Sequence, residues 1–155
     1  MARRICLAVL LVLAAMGRFA HADEREIRTC DFQVKARCAS GDVRVTLAHG
    51  AMQRVEIDVY WCGLPHRPGY TCTIDSSRGD EDSQWSDHAG ATVITNGSPF
   101  NPNEPDRIKV IVGAEVSIDL GETQSLGRCG SGAELPRTIV IPAPKGACRV
   151  RLREP

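Results

Sequence analysis

The side chains able to do chemistry are few, and they lie far apart in the chain. Apart from His21, the histidines are His49, His66 and His88. His49 sits in the turn-like "AHGAM", His66 in "YWCGLPHRPGYTC", and His88 at the end of the acidic run "GDEDSQWSDH". A nucleophilic triad needs an attacking group, a base and an orienting partner brought together in space. No serine stands in G-x-S-x-G, and the "GSG" at 130–132 lacks that context. Neither H-E-x-x-H nor a P-loop is present. An enzyme is therefore the minority expectation: a small hydrolase or lyase using His66 or His88 with nearby carboxylates. Paired carboxylates for glycoside hydrolysis stay open, because their pairing is spatial.

The acidic run gathers Asp80, Glu81, Asp82, Asp87 and His88. Such oxygen-rich clusters can hold calcium. The EF-hand pattern fails, since Trp85 stands where a glycine is required and no glutamate closes the loop. The expectation is an acidic surface loop over Asp75–Gly90, with calcium binding by Asp80, Asp82 and Asp87 as a third reading that the sequence leaves open. Trp85 among these charges either packs the loop onto the body or meets a ligand. No cofactor and no resident metal is expected.

The cysteines are more telling. Residues 1–22 read as a cleaved signal peptide, with Arg3 and Arg4 ahead of the ten-residue apolar run Leu7–Met16 and a small-x-small site at Ala20–Ala22. Ten residues are too few to span a bilayer as a helix. Cleavage there removes Cys6 with the leader. The expected mature chain, 23–155, has 16 basic and 19 acidic residues, a slight negative balance that argues against nucleic acid as the main partner. It carries six cysteines, Cys30, Cys38, Cys62, Cys72, Cys129 and Cys148, and no C-x-x-C. An even set in an exported protein predicts three disulfides in a periplasmic or secreted setting, with no thiol left for catalysis. Cys62 and Cys72 bracket a Pro- and Gly-rich turn, which predicts a clasp at a hairpin base. Cys129 and Cys148 flank "RTIVI" and are expected to pair. Cys30 and Cys38 would lie about 26 Å apart on one straight strand, so either the segment folds back and they pair in sequence, the slightly favoured reading, or the two find different partners.

Positioning these groups falls to strands. Apolar residues alternate with polar ones almost throughout, as in Val55, Ile57, Val59 and Trp61 against Glu56, Asp58 and Tyr60. Turn-forming stretches intervene, among them "SGD", "AHGAM", "NGSPFNPNEPD" and "PAPKG". Asn96–Gly97 is a two-residue hairpin signal, and with Ser98 a glycosylation sequon in a eukaryotic source. The pattern predicts one all-β domain, an antiparallel β-sandwich or barrel of about eight strands stapled by disulfides. No segment after the leader is apolar enough to span a membrane as a helix.

The leading functional expectation is an exported, non-enzymatic binding or accessory protein, inhibitor-like or a complex subunit. It would meet a protein or glycan of the envelope through loops on a braced scaffold. The candidate contact residues are His66, Arg67 and Tyr70 on the clasped tip, and Trp85. The last strand, "CRVRLRE", presents Arg149, Arg151 and Arg153 on one face, either a solvated edge or an anion-contacting strip.

Overall fold

The computed structural model describes residues 24–62, 69–97, 103–124, 129, 134–143 and 146–153. The expected leader, the tip residues His66 and Arg67, and the "GSG" segment lie outside them. Ten strands form two antiparallel sheets. β1 (Arg25–Val34), β2 (Ala39–Ala48), β3 (Ala51–Trp61) and β4 (Tyr70–Ser77) make a meander in the order β1-β2-β3-β4. β5 (Ser83–His88), β6 (Ala91–Asn96), β7 (Asp106–Val112), β8 (Val116–Glu122), β9 (Thr138–Ile141) and β10 (Arg149–Arg151) make a second, in the order β10-β9-β8-β7-β6-β5. The architecture is the sandwich alternative, not a closed barrel. Among the described residues no helix is long and apolar enough to cross a membrane.

Period-two alternation explains the layers. Cys30 and Phe32 of β1, Val43, Val45 and Leu47 of β2, Val55, Ile57 and Val59 of β3, and Cys72 and Ile74 of β4 are buried. They meet Ile94, Ile108, Val110, Val116, Ile118, Leu120, Ile139 and Ile141 from the other sheet in one continuous core. Each such side chain contributes roughly 1.5–3 kcal/mol on leaving water, which stabilises the face-to-face packing without any helix.

Turn chemistry differs from the expectation in three places. "SGD" is no turn: Ser40, Gly41 and Asp42 lie inside β2. Gly41 stands opposite Phe32 in the register, and a Cβ there would come within 2.6 Å of the Phe32 ring. The ring fills the place of the missing side chain. The chain reverses instead through a 3-10 turn at Lys35–Arg37, closed by Cys38 in the left-handed region at φ 47°. Asn96–Gly97 makes no two-residue hairpin, because Asn96 pairs with Asp106 across a longer connection. The acidic stretch is not all loop either. Ser83–His88 is strand β5, paired along its length with β6, and is the strand the pattern missed. The two-residue turns that do form are His49–Gly50 and Ala89–Gly90, all four residues at positive φ as hairpin turns require.

All six expected cysteines are bonded, but in other pairs. Cys30 joins Cys148, Cys38 joins Cys62, and Cys72 joins Cys129. The Cys62–Cys72 clasp fails on parity. In the β3–β4 register Val59 faces Cys72 and Trp61 faces Tyr70, so Cys72 points into the core while Cys62, one residue past Trp61, takes the other face. Cys62 therefore reaches the β1–β2 turn, where its backbone N–H donates to the Cys38 carbonyl at 3.1 Å. Cys30 and Cys148 link the edge of the first sheet to the start of β10, beside a bond from Cys148 N–H to the Asp31 carbonyl at 2.9 Å. The loops closed span 118, 24 and 57 residues, worth about 3–5 kcal/mol each in the chain-entropy picture. Three such bonds are the mark of an oxidising compartment, periplasmic or extracellular.

Candidate functional site

The expected contact residues that are described turn inward. Tyr70, at the start of β4, and Trp85, in β5, are both half-buried and pack against the core. The Trp85 indole N–H donates to Ser83 Oγ at 2.9 Å, and the Arg78 guanidinium lies 5.1 Å from its ring centroid. Arg78 also donates from Nε to the Met52 carbonyl at 3.1 Å and from Nη2 to Asp87 at 2.8 Å. It thus holds the corner where the chain leaves the first sheet for the second. Asp87 accepts from Thr92 Oγ1 at 2.7 Å as well. The Thr92 hydroxyl holds the Asp87 carboxyl below its ordinary range; burial opposes it, and Arg78 adds to the lowering. Asp80 accepts the Ser77 backbone N–H at 2.6 Å. Two carboxylates of the acidic run, Asp80 and Asp87, are therefore spent on turn and corner bonds. Among the described residues no group of three His, Cys, Asp or Glu side chains is placed to hold a metal. His49 and His88 stand exposed at turns.

The outer faces of the two sheets are more informative. On the four-stranded sheet, Asp31 pairs with Asp42 and Asp42 with Asp58, so three carboxylates form one row across β1, β2 and β3. Like charges directly opposite are destabilising. Asp58 accepts from Thr73 Oγ1 at 2.6 Å. One row away Arg54 makes a two-pronged pair with Asp75, at 2.9 and 2.7 Å, and a second contact with Glu56 at 3.1 Å.

The six-stranded sheet shows the opposite sign. Its outer face carries Arg107 and Lys109 on β7, Arg149 and Arg151 on β10, and Arg137 just ahead of β9. The register of β7 on β8 slips between Arg107 and Lys109, which sets Leu120 and Gly121 against the single residue Ile108. Such a bulge bends the strand and re-aims its neighbours. Here it opens a shallow groove of about 430 Å³, with Val93 and Gly121 at its apolar floor and Arg107, Lys109, Arg137, Asp119 and Glu122 around it. Gly121 N–H bonds Asp119 Oδ1 at 2.8 Å, which turns that carboxylate toward the backbone. A Cβ on Gly121 would sit 3.9 Å from Arg137 Nε, so Arg137 lies over the glycine. The Arg137 backbone is fixed on both sides, donating to the Arg151 carbonyl at 2.9 Å and accepting from Leu120 N–H at 2.8 Å. Arg107 reaches Glu122 at 3.5 Å. Lys109 stands opposite Asp119 across the ladder without a hydrogen bond to it, and Arg137 has no side-chain partner among the described residues.

The "CRVRLRE" arginines divide. Arg149 pairs with Glu115 at 2.5 Å, which raises its pKa further. Arg153 folds back and donates to the Leu120 and Thr123 carbonyls, both at 2.5 Å, closing the end of β8. No signal in the sequence joins Lys109 to Arg137, because they come from different strands and meet only through the register. No protein-family model matches the chain, and no curated protein or solved structure matches it either.

Proposed function

We propose that the protein is a non-enzymatic binding or accessory protein of an oxidising compartment, and that it engages an anionic partner on the outer face of its six-stranded sheet. The observation that carries this reading is the bulge-centred groove, where Arg137 lies over Gly121 with no side-chain partner among the described residues, beside Lys109, whose cross-strand neighbour Asp119 accepts from the Gly121 N–H. A cation held without a partner is available to pair with a carboxylate, sulfate or phosphate, and Arg137 can do so in two-pronged fashion. Val93 and Gly121 offer an apolar floor on which the body of a sugar or side chain can rest. The exported binding role expected from the sequence is kept, with its surface moved from the loops to this face. The exposed placement of His49 and His88, neither of which lines this groove, counts against a histidine-based hydrolase.

The test is retention on an immobilised polyuronate, with neutral dextran as the control. Wild-type protein should be retained on the polyuronate alone and released by salt, since exposed charge contacts are screened. The double variant K109E/R137E should lose retention while unfolding at the same urea midpoint. Equal retention of the two proteins, or none for wild type, would sink the reading.

A further inference from the structure

The three disulfides are not equally protected. Cys72 and Cys129 are 0% and 3% exposed and Cys30 is 6% exposed, whereas Cys38 and Cys62 are both on the surface. Cys38 also closes the 3-10 turn at φ 47°, a left-handed conformation that side-chain-bearing residues rarely hold. Breaking its bond lets that backbone relax. The same turn places the cation Lys35 three residues before Cys38, while the Arg37 guanidinium is taken by Glu134 at 3.3 Å. On the other side, β3 delivers Tyr60 and Trp61 up to Cys62. In thiol–disulfide exchange the better leaving group is the sulfur whose thiolate is better stabilised. Here that is Cys38.

We infer that Cys38–Cys62 is a thiol–disulfide exchange site for a low-molecular-weight thiol, which attacks Sγ of Cys62 and expels Cys38 as thiolate. The balance is simple. The incoming thiolate forms one S–S bond to Cys62 as the Cys62–Cys38 bond breaks, and the electron pair of that bond leaves on Cys38 Sγ. A second equivalent of thiol attacks the mixed disulfide, so that two protein thiols and one small disulfide result. The sheet survives, because Ala39 still pairs with Trp61 in the ladder and the other two bonds, the buried Cys72–Cys129 and the Cys30–Cys148 bond with Cys148 half-buried, stay closed.

The experiment exposes the folded full chain to reduced glutathione, traps thiols by rapid alkylation and maps peptides by mass. One glutathione on Cys62 and one alkyl group on Cys38 are expected first, with Cys30, Cys72, Cys129 and Cys148 unlabelled. The C38S/C62S variant should fold, as judged by far-ultraviolet circular dichroism, and take up neither label. First labelling at any of the four other cysteines would overturn the site. Glutathione on Cys38 instead of Cys62 would overturn the assigned direction of attack. If C38S/C62S does not fold, wild-type labelling decides alone, and full protection of all six cysteines overturns the proposal.

Discussion

The two outer faces rest on one core and have the same strand periodicity, yet they manage charge differently. On the four-stranded sheet the charges over β3 and β4 are knitted together: Arg54 holds Asp75 and Glu56, and Thr73 holds Asp58. Only toward β1 do Asp31 and Asp42 stand opposed without relief. On the six-stranded sheet Arg107 stands opposite Glu122 and Lys109 opposite Asp119 on either side of the bulge, and Arg137 has no side-chain partner among the described residues. A paired exposed charge contributes little to stability and is closed to a partner. An unpaired one on a rigid ladder is open to one. The proposed recognition surface rests on this difference.

The largest effect should come from uncoupling the sheets that carry the two faces. C72S/C129S opens a 57-residue loop and should cost about 4 kcal/mol, read from urea unfolding. A loss under about 1 kcal/mol would show that the core alone sets the two sheets. Next in size is the contrast in binding. K109E/R137E should weaken polyuronate binding by at least roughly tenfold, while D31K/D42K should leave it intact or tighten it. Equal loss in both variants would erase the distinction between the faces. A smaller change follows from the aspartate row. D42N removes the middle charge between Asp31 and Asp58 and should stabilise the fold by about 0.5 kcal/mol, measurable as a raised urea midpoint at neutral pH. The smallest concerns the corner at Arg78. The Asp87 carboxyl is held below its ordinary range in the folded state, so its contribution is present above the unfolded value and is lost as pH falls through the folded one. Asp87→Asn should flatten the acid limb of a stability–pH curve below about pH 4 and leave the neutral region's pH dependence unchanged. An unaltered acid limb would remove Asp87 from the corner's energetics.

Much of this was legible in the chain. Alternation alone marks Val55, Ile57 and Val59 as inward, and their intervening partners Glu56 and Asp58 as outward. The same rule also contained the parity that separates Cys62 from Cys72. Turn composition around "GLPHRPG" suggested proximity, and proximity outweighed the face on which each sulfur lies. β5 was hidden because Ser83–His88 buries almost nothing, and its order comes from pairing with β6 instead of from an apolar stripe. Trp85 was the one cue there. The groove was out of reach for a different reason. Lys109 and Arg137 are brought together by a one-residue slip in register, and register is a property of two strands at once.

The Cys30–Cys148 bond joins the first strand to the start of the last across 118 residues of sequence. Tension applied along the backbone from either side of that pair would pass through sulfur. The ladders between would carry almost no load, and the domain would behave under pull as a short inextensible link.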